Sequence, residues 1–236
     1  MVRIAIQENP NEACGIISIK GDVCQLPNRA QEPWNGFRLD PSEMPLKYLA
    51  VWHSHPDGSV EPSQSDQYSC RMVGKPYWIV SPTGKWVSLQ PEECQDLALK
   101  GREFLHGVVD CYALIQDYYR QHFQIQLPHF HRDDRWWEDP QAEPLYGEAN
   151  LNRAGFRRYV YRQDPGQIQR HDVLIMRIGR RVHHDNHAAV YEGNNAMLHH
   201  LPDHLSREEP LTQPWLRRIT CIARHWTQDP EHDEAP

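Results

Sequence analysis

The chain has 236 residues, 39% of them hydrophobic and 24% charged, with a formal net charge of −7. That length admits one large domain or two small ones, and 8 Trp, 10 Tyr and 5 Phe supply bulky core material that a disordered chain lacks. The acidic balance argues against a nucleic-acid-binding body, and no apolar run approaches the roughly 20 residues that cross a bilayer, so neither nucleic acid nor membrane insertion is expected.

The opening residues, MVRIAIQENP, lack the apolar stretch of a secretory signal. Synthesis and retention in cytoplasm are therefore expected unless a larger assembly carries the protein out. Six cysteines include no C-x-x-C pair and are too few for a disulfide framework, so free thiols are expected. The 15 histidines run from His53 to His232, unlike a terminal tag, and ask for a chemical explanation.

In chain order, the pattern predicts a strand over Cys14–Lys20, a turn at Gly21-Asp22 and a short strand Val23–Leu26. A Pro- and Asn-rich loop leads to a strand Tyr48–His53 and then to a helix starting near Ser63. Tyr77–Ser81 and Lys85–Leu89 flank Pro82-Thr83-Gly84 as a hairpin. The first domain is placed at 1–90 and a linker at 91–106. A second domain, 107–227, begins with a helix from Cys111 to about Phe123, where Tyr112, Ile115, Tyr119 and Phe123 recur at helical spacing. Leu127 to Pro144 reads as an irregular surface loop and Leu145–Arg153 as a helix. Asp172–Ile178, His187–Glu192 and Ala196–Leu201 read as strands. The acidic, Pro-flanked tail 228–236 is expected to be disordered. The whole is an α+β chain: a mixed sheet with helices, followed by a helix packed on an antiparallel sheet.

Two clusters carry chemistry. In the first, His53 and His55 stand two apart on a strand, so both imidazoles share one face and can meet one ion. Asp66 follows on the helix that opens after Pro62-Ser63. Three N/O ligands leave a fourth tetrahedral position open, which is the arrangement of a catalytic Zn²⁺. Glu12, just ahead of the first strand, is a carboxylate of the kind that takes a proton from a metal-bound water. A second H-x-H, His129-Phe130-His131, has no carboxylate on a separate element and reads as solvated loop; so does His183-His184-Asp185.

In the second cluster, Asp110 is the expected N-cap of the helix that Cys111 opens, and the helix dipole there favours thiolate. His187 is the best candidate base. His199, at the end of the next strand, is placed to orient its ring. Alternation sends His200 to the opposite face. Cys14, Cys24, Cys70, Cys94 and Cys221 read as structural thiols.

Glu12-Ala13-Cys14-Gly15, His53-Ser54-His55-Pro56, and Pro62-Ser63 with Asp66 resemble the JAMM (MPN+) metallopeptidase family over roughly residues 5–90. The resemblance implies zinc ligands at His53, His55 and Asp66, an acid/base role for Glu12, and a Ser63 hydroxyl that steadies the oxyanion. The helix that leads into the Glu segment in that family is expected to be much reduced here. Asp110-Cys111, the strand led by Asp172, and His187 with His199 resemble the NlpC/P60 cysteine peptidases, a papain-like family. That resemblance implies Cys111 as nucleophile, His187 as base and His199 as the polar third residue. The common Asp-Cys-Ser-Gly form reads Asp110-Cys111-Tyr112-Ala113 here, so the wall beside the sulfur is bulkier.

A JAMM half followed by an NlpC/P60 half resembles the K-type tail-tip assembly proteins of lambda-like phages. Gly107-Val108-Val109-Asp110-Cys111-Tyr112, Asp133-Asp134-Arg135-Trp136-Trp137 and Asn186-His187-Ala188-Ala189-Val190-Tyr191 add to that resemblance. It implies phage tail-tip proteins as partners, peptidoglycan stem peptides as substrate of the thiol site, and a peptide or isopeptide bond as substrate of the zinc site. It also implies host cytoplasm during assembly and the virion tail tip afterwards. Two alternatives stand beside it: a structural tail-tip component with vestigial sites, and a cellular metallopeptidase that removes a ubiquitin-like tag.

Overall fold

The computed structural model describes residues 1–228. The disordered tail expected at 228–236 lies, from residue 229 onward, outside the described residues. The chain divides into two compact units, Met1–Leu97 and Ala98–Pro236, both α+β. Residues 91–106, expected as a linker, are shared between them. Arg71 pairs with Asp96 in the first unit. In the second, buried Arg102 pairs with Asp117 at 2.9 Å and its backbone N–H donates to Ser206 Oγ at 2.9 Å.

The first unit runs α1 (Val2–Glu8), β1 (Cys14–Ser18), β2 (Val23–Leu26), β3 (Tyr48–Ser54), α2 (Gln64–Val73), β4 (Tyr77–Val80) and β5 (Trp86–Leu89). Its sheet has the order β2-β1-β3-β4-β5, in which β3 and β4 are parallel and the other neighbours antiparallel. A parallel pair needs a crossover, and α2 supplies it. Strand β3 is covered on both faces, with Trp52 in the core beside Ala5 of α1 and Val51 in the core beside Cys70 of α2. Such a strand reads as a near-continuous apolar run. Gly15 in β1 is there for space: a Cβ would overlap the carbonyl oxygen of Cys24 and approach Trp52 Nε1 to 2.9 Å.

The second unit contains α3 (Cys111–Phe123), α4 (Glu148–Arg153), β6 (Phe156–Val160), β7 (Val173–Met176), β8 (His187–Gly193), β9 (Ala196–His199), β10 (Arg207–Pro210), α5 (Gln213–Leu216) and β11 (Ile219–His225). Its sheet, order β10-β9-β8-β7-β11-β6, is antiparallel throughout. Helix α3 is buried without a break from Cys111 to Tyr119, the pattern of a central helix. Its Leu114 and Ile115 pack with Ala188, Val190 and Leu198, each such side chain contributing about 1.5–3 kcal/mol by leaving water.

The stretch 124–147 is irregular, as expected, but it is not a surface loop. Leu127, Phe130, Trp136, Leu145 and Tyr146 are part of the core against α3. Tyr112 Oη donates to Pro128 O at 2.8 Å, and buried Arg132 donates to Asp110 Oδ2 at 2.6 Å. The aromatic residues supply the apolar area that ties this segment down without regular structure. Trp136 is thereby internal packing.

Candidate functional sites

The metal-type cluster sits where β3 ends and α2 begins. Backbone pairing aligns Cys14 of β1 with His53 of β3, and Ala13 and Ser54 exchange hydrogen bonds at 2.8 Å. This register carries Glu12 to the end of β3, beside the H-x-H pair. Asp66 arrives from the other side by a capping box. Ser63, the N-cap of α2, accepts from the Asp66 N–H at 3.1 Å, and Asp66 Oδ2 accepts from the Ser63 N–H at 2.8 Å and from its Oγ at 2.7 Å. Helix initiation and the placement of Asp66 are thus the same local structure, and the Ser63 hydroxyl is engaged by Asp66 Oδ2 and by Ser65 Oγ at 2.8 Å.

The candidate ligand atoms converge. His53 Nε2 is 3.0 Å from Asp66 Oδ1, His55 Nε2 is 3.3 Å from Asp66 Oδ2, and the two Nε2 atoms are 3.1 Å apart. Two atoms bound to one tetrahedral zinc stand about 3.3–3.6 Å apart; this N₂O set lies at or just inside that spacing, so small outward shifts would admit that ion. His53 is fully buried and stacked on Phe37 at 4.4 Å, whereas the His55 side chain keeps 13% of its surface open, which leaves one accessible side. His53 Nδ1 is buried with no hydrogen-bond partner, so on the side away from Asp66 the ring is held by stacking on Phe37. Burial opposes charge on Asp66, yet the neighbouring His53 and His55 hold its carboxyl well below the usual range. Burial likewise opposes charge on His55, but Asp66 holds its pKa up. Glu12 is pushed up to about 7 by burial, with His53 and His55 pulling the other way. A carboxyl near 7 can both accept and return a proton at neutral pH.

The thiol site lies at the N-terminus of α3 and the start of β8. Asp110 caps the helix: its Oδ1 accepts from the N–H groups of Tyr112 and Ala113 at 3.1 and 3.0 Å, its Oδ2 from Gly107 N–H at 2.9 Å and from Arg132. His187 and His199 are diagonal neighbours on one sheet face, since Ala189 pairs with His199. Their rings meet, Nε2 of His187 3.1 Å from Nδ1 of His199. His199 Nε2 in turn lies 3.2 Å from Glu209 Oε1 of β10, an ion-pair distance whose angle falls short of a directed hydrogen bond. His200 faces the other way, edge-on to Phe104.

Cys111 is brought to the same strand but not onto the base. Tyr146 Oη lies 3.3 Å from its Sγ. Among the described residues no hydrogen bond joins Cys111 Sγ to His187. Both groups are enclosed, Cys111 at 9% exposure and His187 at 1%. Burial, followed by the Asp110 charge, pushes the thiol up to about 11, against the helix-dipole expectation of a favoured thiolate. Burial, followed by His199, pushes His187 down to about 3. A small apolar cavity lined by Tyr112, Phe130, Leu145 and Tyr146, among others, lies behind the Tyr146 ring; Cys111, His187 and His199 do not line it. Tyr146, Arg132, Glu209 and Phe37 escape sequence reasoning, because each comes from a segment without periodic pattern or from an edge strand of charged residues.

Residues 1–99 match the model for prokaryotic homologs of the JAB domain, and residues 101–224 match the NlpC/P60 family. The chain is thus a two-domain protein joining a JAB-type half to an NlpC/P60 half. Tail tip assembly protein K of Escherichia phage N15 is 32% identical over 232 residues, covering 94% of this chain and 90% of the relative. Tail tip assembly protein K of Escherichia phage lambda is 37% identical over 184 residues, covering 78% and 85%. The chain belongs to the tail tip assembly protein K family. A crystal structure of an NlpC/P60 family protein from Bacillus cereus ATCC 10987 superposes with a TM-score of 0.35 and 11% identity, covering 94% of this chain and 66% of that one, too loose a likeness to place side chains.

Proposed function

We propose that this protein is a phage tail-tip assembly protein that carries two peptidase sites, made in the host cytoplasm and working at the virion tail tip beside other tail proteins. The observation that carries the reading is the convergence of His53, His55 and Asp66 to within 3.0–3.3 Å of one another, with Glu12 alongside. His53, His55 and Asp66 would hold Zn²⁺, which when bound acidifies a water and polarises a carbonyl. Glu12 takes the proton of the attacking water and returns it to the leaving amine. Ser63 keeps Asp66 in place, and turns to the scissile carbonyl only if its hydroxyl leaves Asp66. The bond cut is a peptide or isopeptide bond.

At the thiol site Cys111 attacks a stem-peptide carbonyl of peptidoglycan, His187 moves the proton, and His199 with Glu209 fixes the ring of His187. Purified protein should hold one zinc per chain, lost in His53→Ala and in Asp66→Ala. Cys111→Ala should abolish muropeptide cleavage with zinc content unchanged. Zinc-loaded, reduced wild-type protein that leaves muropeptides intact would end the peptidoglycan reading.

The burial of Cys111 and His187 favours a second reading, a structural tail-tip component whose thiol site is vestigial. Phage carrying Cys111→Ala separate the two. Normal tails that inject poorly support the peptidase; failure to form tails supports the structural role.

A further inference from the structure

The sulfur of Cys111 is touched by a hydroxyl that the peptidase reading leaves unused. Tyr146 Oη is 3.3 Å from Sγ and is buried with the nucleophile. Its phenol is a neutral donor to a sulfur anion. His187 cannot substitute for it. Burial and the nearby His199 push its imidazole down to about 3, so at neutral pH it carries no positive charge to stabilise a sulfur anion. The resting imidazole thus leaves a sulfur anion to the donor that touches it, the Tyr146 hydroxyl. Burial and then the neighbouring Cys111 keep the Tyr146 phenol well above its ordinary range, so the phenol keeps its proton while the sulfur ionises.

We propose that Tyr146 is a catalytic residue of the thiol site, its O–H hydrogen-bonding the Cys111 thiolate. The inference rests on the thiol-peptidase reading above. In the step concerned the S–H bond breaks and its electron pair stays on Sγ. The proton goes to the nitrogen of His187 that does not face His199. Tyr146 retains its own proton and donates it in a hydrogen bond. Attack of the sulfur on the substrate carbonyl then forms the C–S bond and breaks the C–N bond, the amine leaving with the proton held by His187 to give the acyl-enzyme, and no oxidant or reductant is involved. The same hydroxyl sits near the end of the segment 124–147, which Arg132 pins to Asp110 beside the nucleophile.

The test is alkylation of Cys111 by iodoacetamide in the full chain, followed by peptide-resolved mass spectrometry from pH 6 to 10. Tyr146→Phe keeps the ring and its packing. It should slow alkylation at pH 8 by roughly three- to tenfold and displace the profile to higher pH, the loss of one hydrogen bond to a charged group partly offset by the greater nucleophilicity of a more basic thiolate. Incorporation of 3-fluorotyrosine at position 146, a stronger donor, should displace the profile to lower pH. Alkylation of Tyr146→Phe as fast as wild type, or faster, would mean that the hydroxyl only covers the sulfur, and overturns the proposal. If circular dichroism shows Tyr146→Phe unfolded, the fluorotyrosine profile decides, and no displacement overturns it. Alkylation reads the sulfur directly, so the result stands even if the wild-type protein leaves muropeptides intact.

Discussion

Arg132→Leu removes the countercharge of a buried carboxylate. Arg132 is 4% exposed and Asp110 2%. The guanidinium Nε donates to Asp110 Oδ2 and Nη1 to Phe130 O, both at 2.6 Å, and the group lies over the Tyr112 ring. Breaking a buried ion pair from one side costs about 3–5 kcal/mol. Asp110 retains N–H donors from Gly107, Tyr112 and Ala113, so the lower end, about 3 kcal/mol, is expected at pH 7. Hydrogen exchange of the α3 amides reads this without interference from the first unit, and should accelerate on the order of a hundredfold. The pH dependence follows from the sign of the shift. Burial opposes charge on Asp110, but Arg132 holds its carboxyl below the usual range. In the wild type, the pair therefore stabilises above the unfolded carboxyl value and loses that stabilisation as pH falls through the folded one. In the variant the carboxyl moves up, and its penalty vanishes once it is protonated. The deficit should be large at pH 7 and shrink below about pH 4, each rate being taken against its intrinsic value. Adding Asp110→Asn to Arg132→Leu should restore part of the loss. Acceleration of less than about fivefold, or a deficit equal at both pH values, would refute the role of the pair.

Gly15→Ala forces a methyl into the Cys24 backbone and the Trp52 indole; a loss on the order of 3 kcal/mol is expected, and a thermal midpoint within a degree of wild type would contradict it. Ser63→Ala removes the α2 N-cap and a hydrogen bond to Asp66. Competition with a chelating dye should show zinc affinity down by about 10–100-fold, while unchanged affinity would mean that Asp66 needs no such support. With the thiol pushed up to about 11 and His187 down to about 3, both stay neutral between those values. Wild-type Cys111 should therefore be alkylated about a hundredfold faster at pH 8 than at pH 6, because thiolate grows tenfold per pH unit below its pKa. A rate already level at pH 6 would reveal a preformed ion pair.

The parts of both sites that obey a backbone period are legible in the sequence. Two strand residues two apart, a Ser with an Asp three later at a helix start, and two histidines at the ends of a hairpin are placed by geometry that the chain writes locally. Strands β1 to β5 and helix α3 are legible for the same reason, with boundaries shifted by a residue or two. Strand β11 is not. Arg224 and His225 break its apolar pattern, and only the fold reveals that Arg224 is neutralised by Asp172 at 2.8 and 2.9 Å. The segment 124–147 fails likewise, since its Pro, Trp and acidic composition resembles a solvated loop until Phe130, Trp136 and Tyr146 are seen against α3. Its contacts have no period to announce them.

Burial acts on both sites with opposite chemical consequence. In the first unit it raises a carboxyl, Glu12, from far below neutrality to about 7, which brings it toward the operating range of a general base. In the second it raises a thiol that already lies above neutrality and lowers an imidazole that lies near it, which takes both away from that range. The same desolvation thus prepares one site and disarms the other unless a donor or a charge intervenes. The helix dipole at α3 acts at that sulfur in the favourable sense but does not outweigh burial and Asp110. Activation of the thiol must come from groups that touch it, which is why the hydroxyl of Tyr146 carries more weight for its reactivity than the position of Cys111 at a helix start.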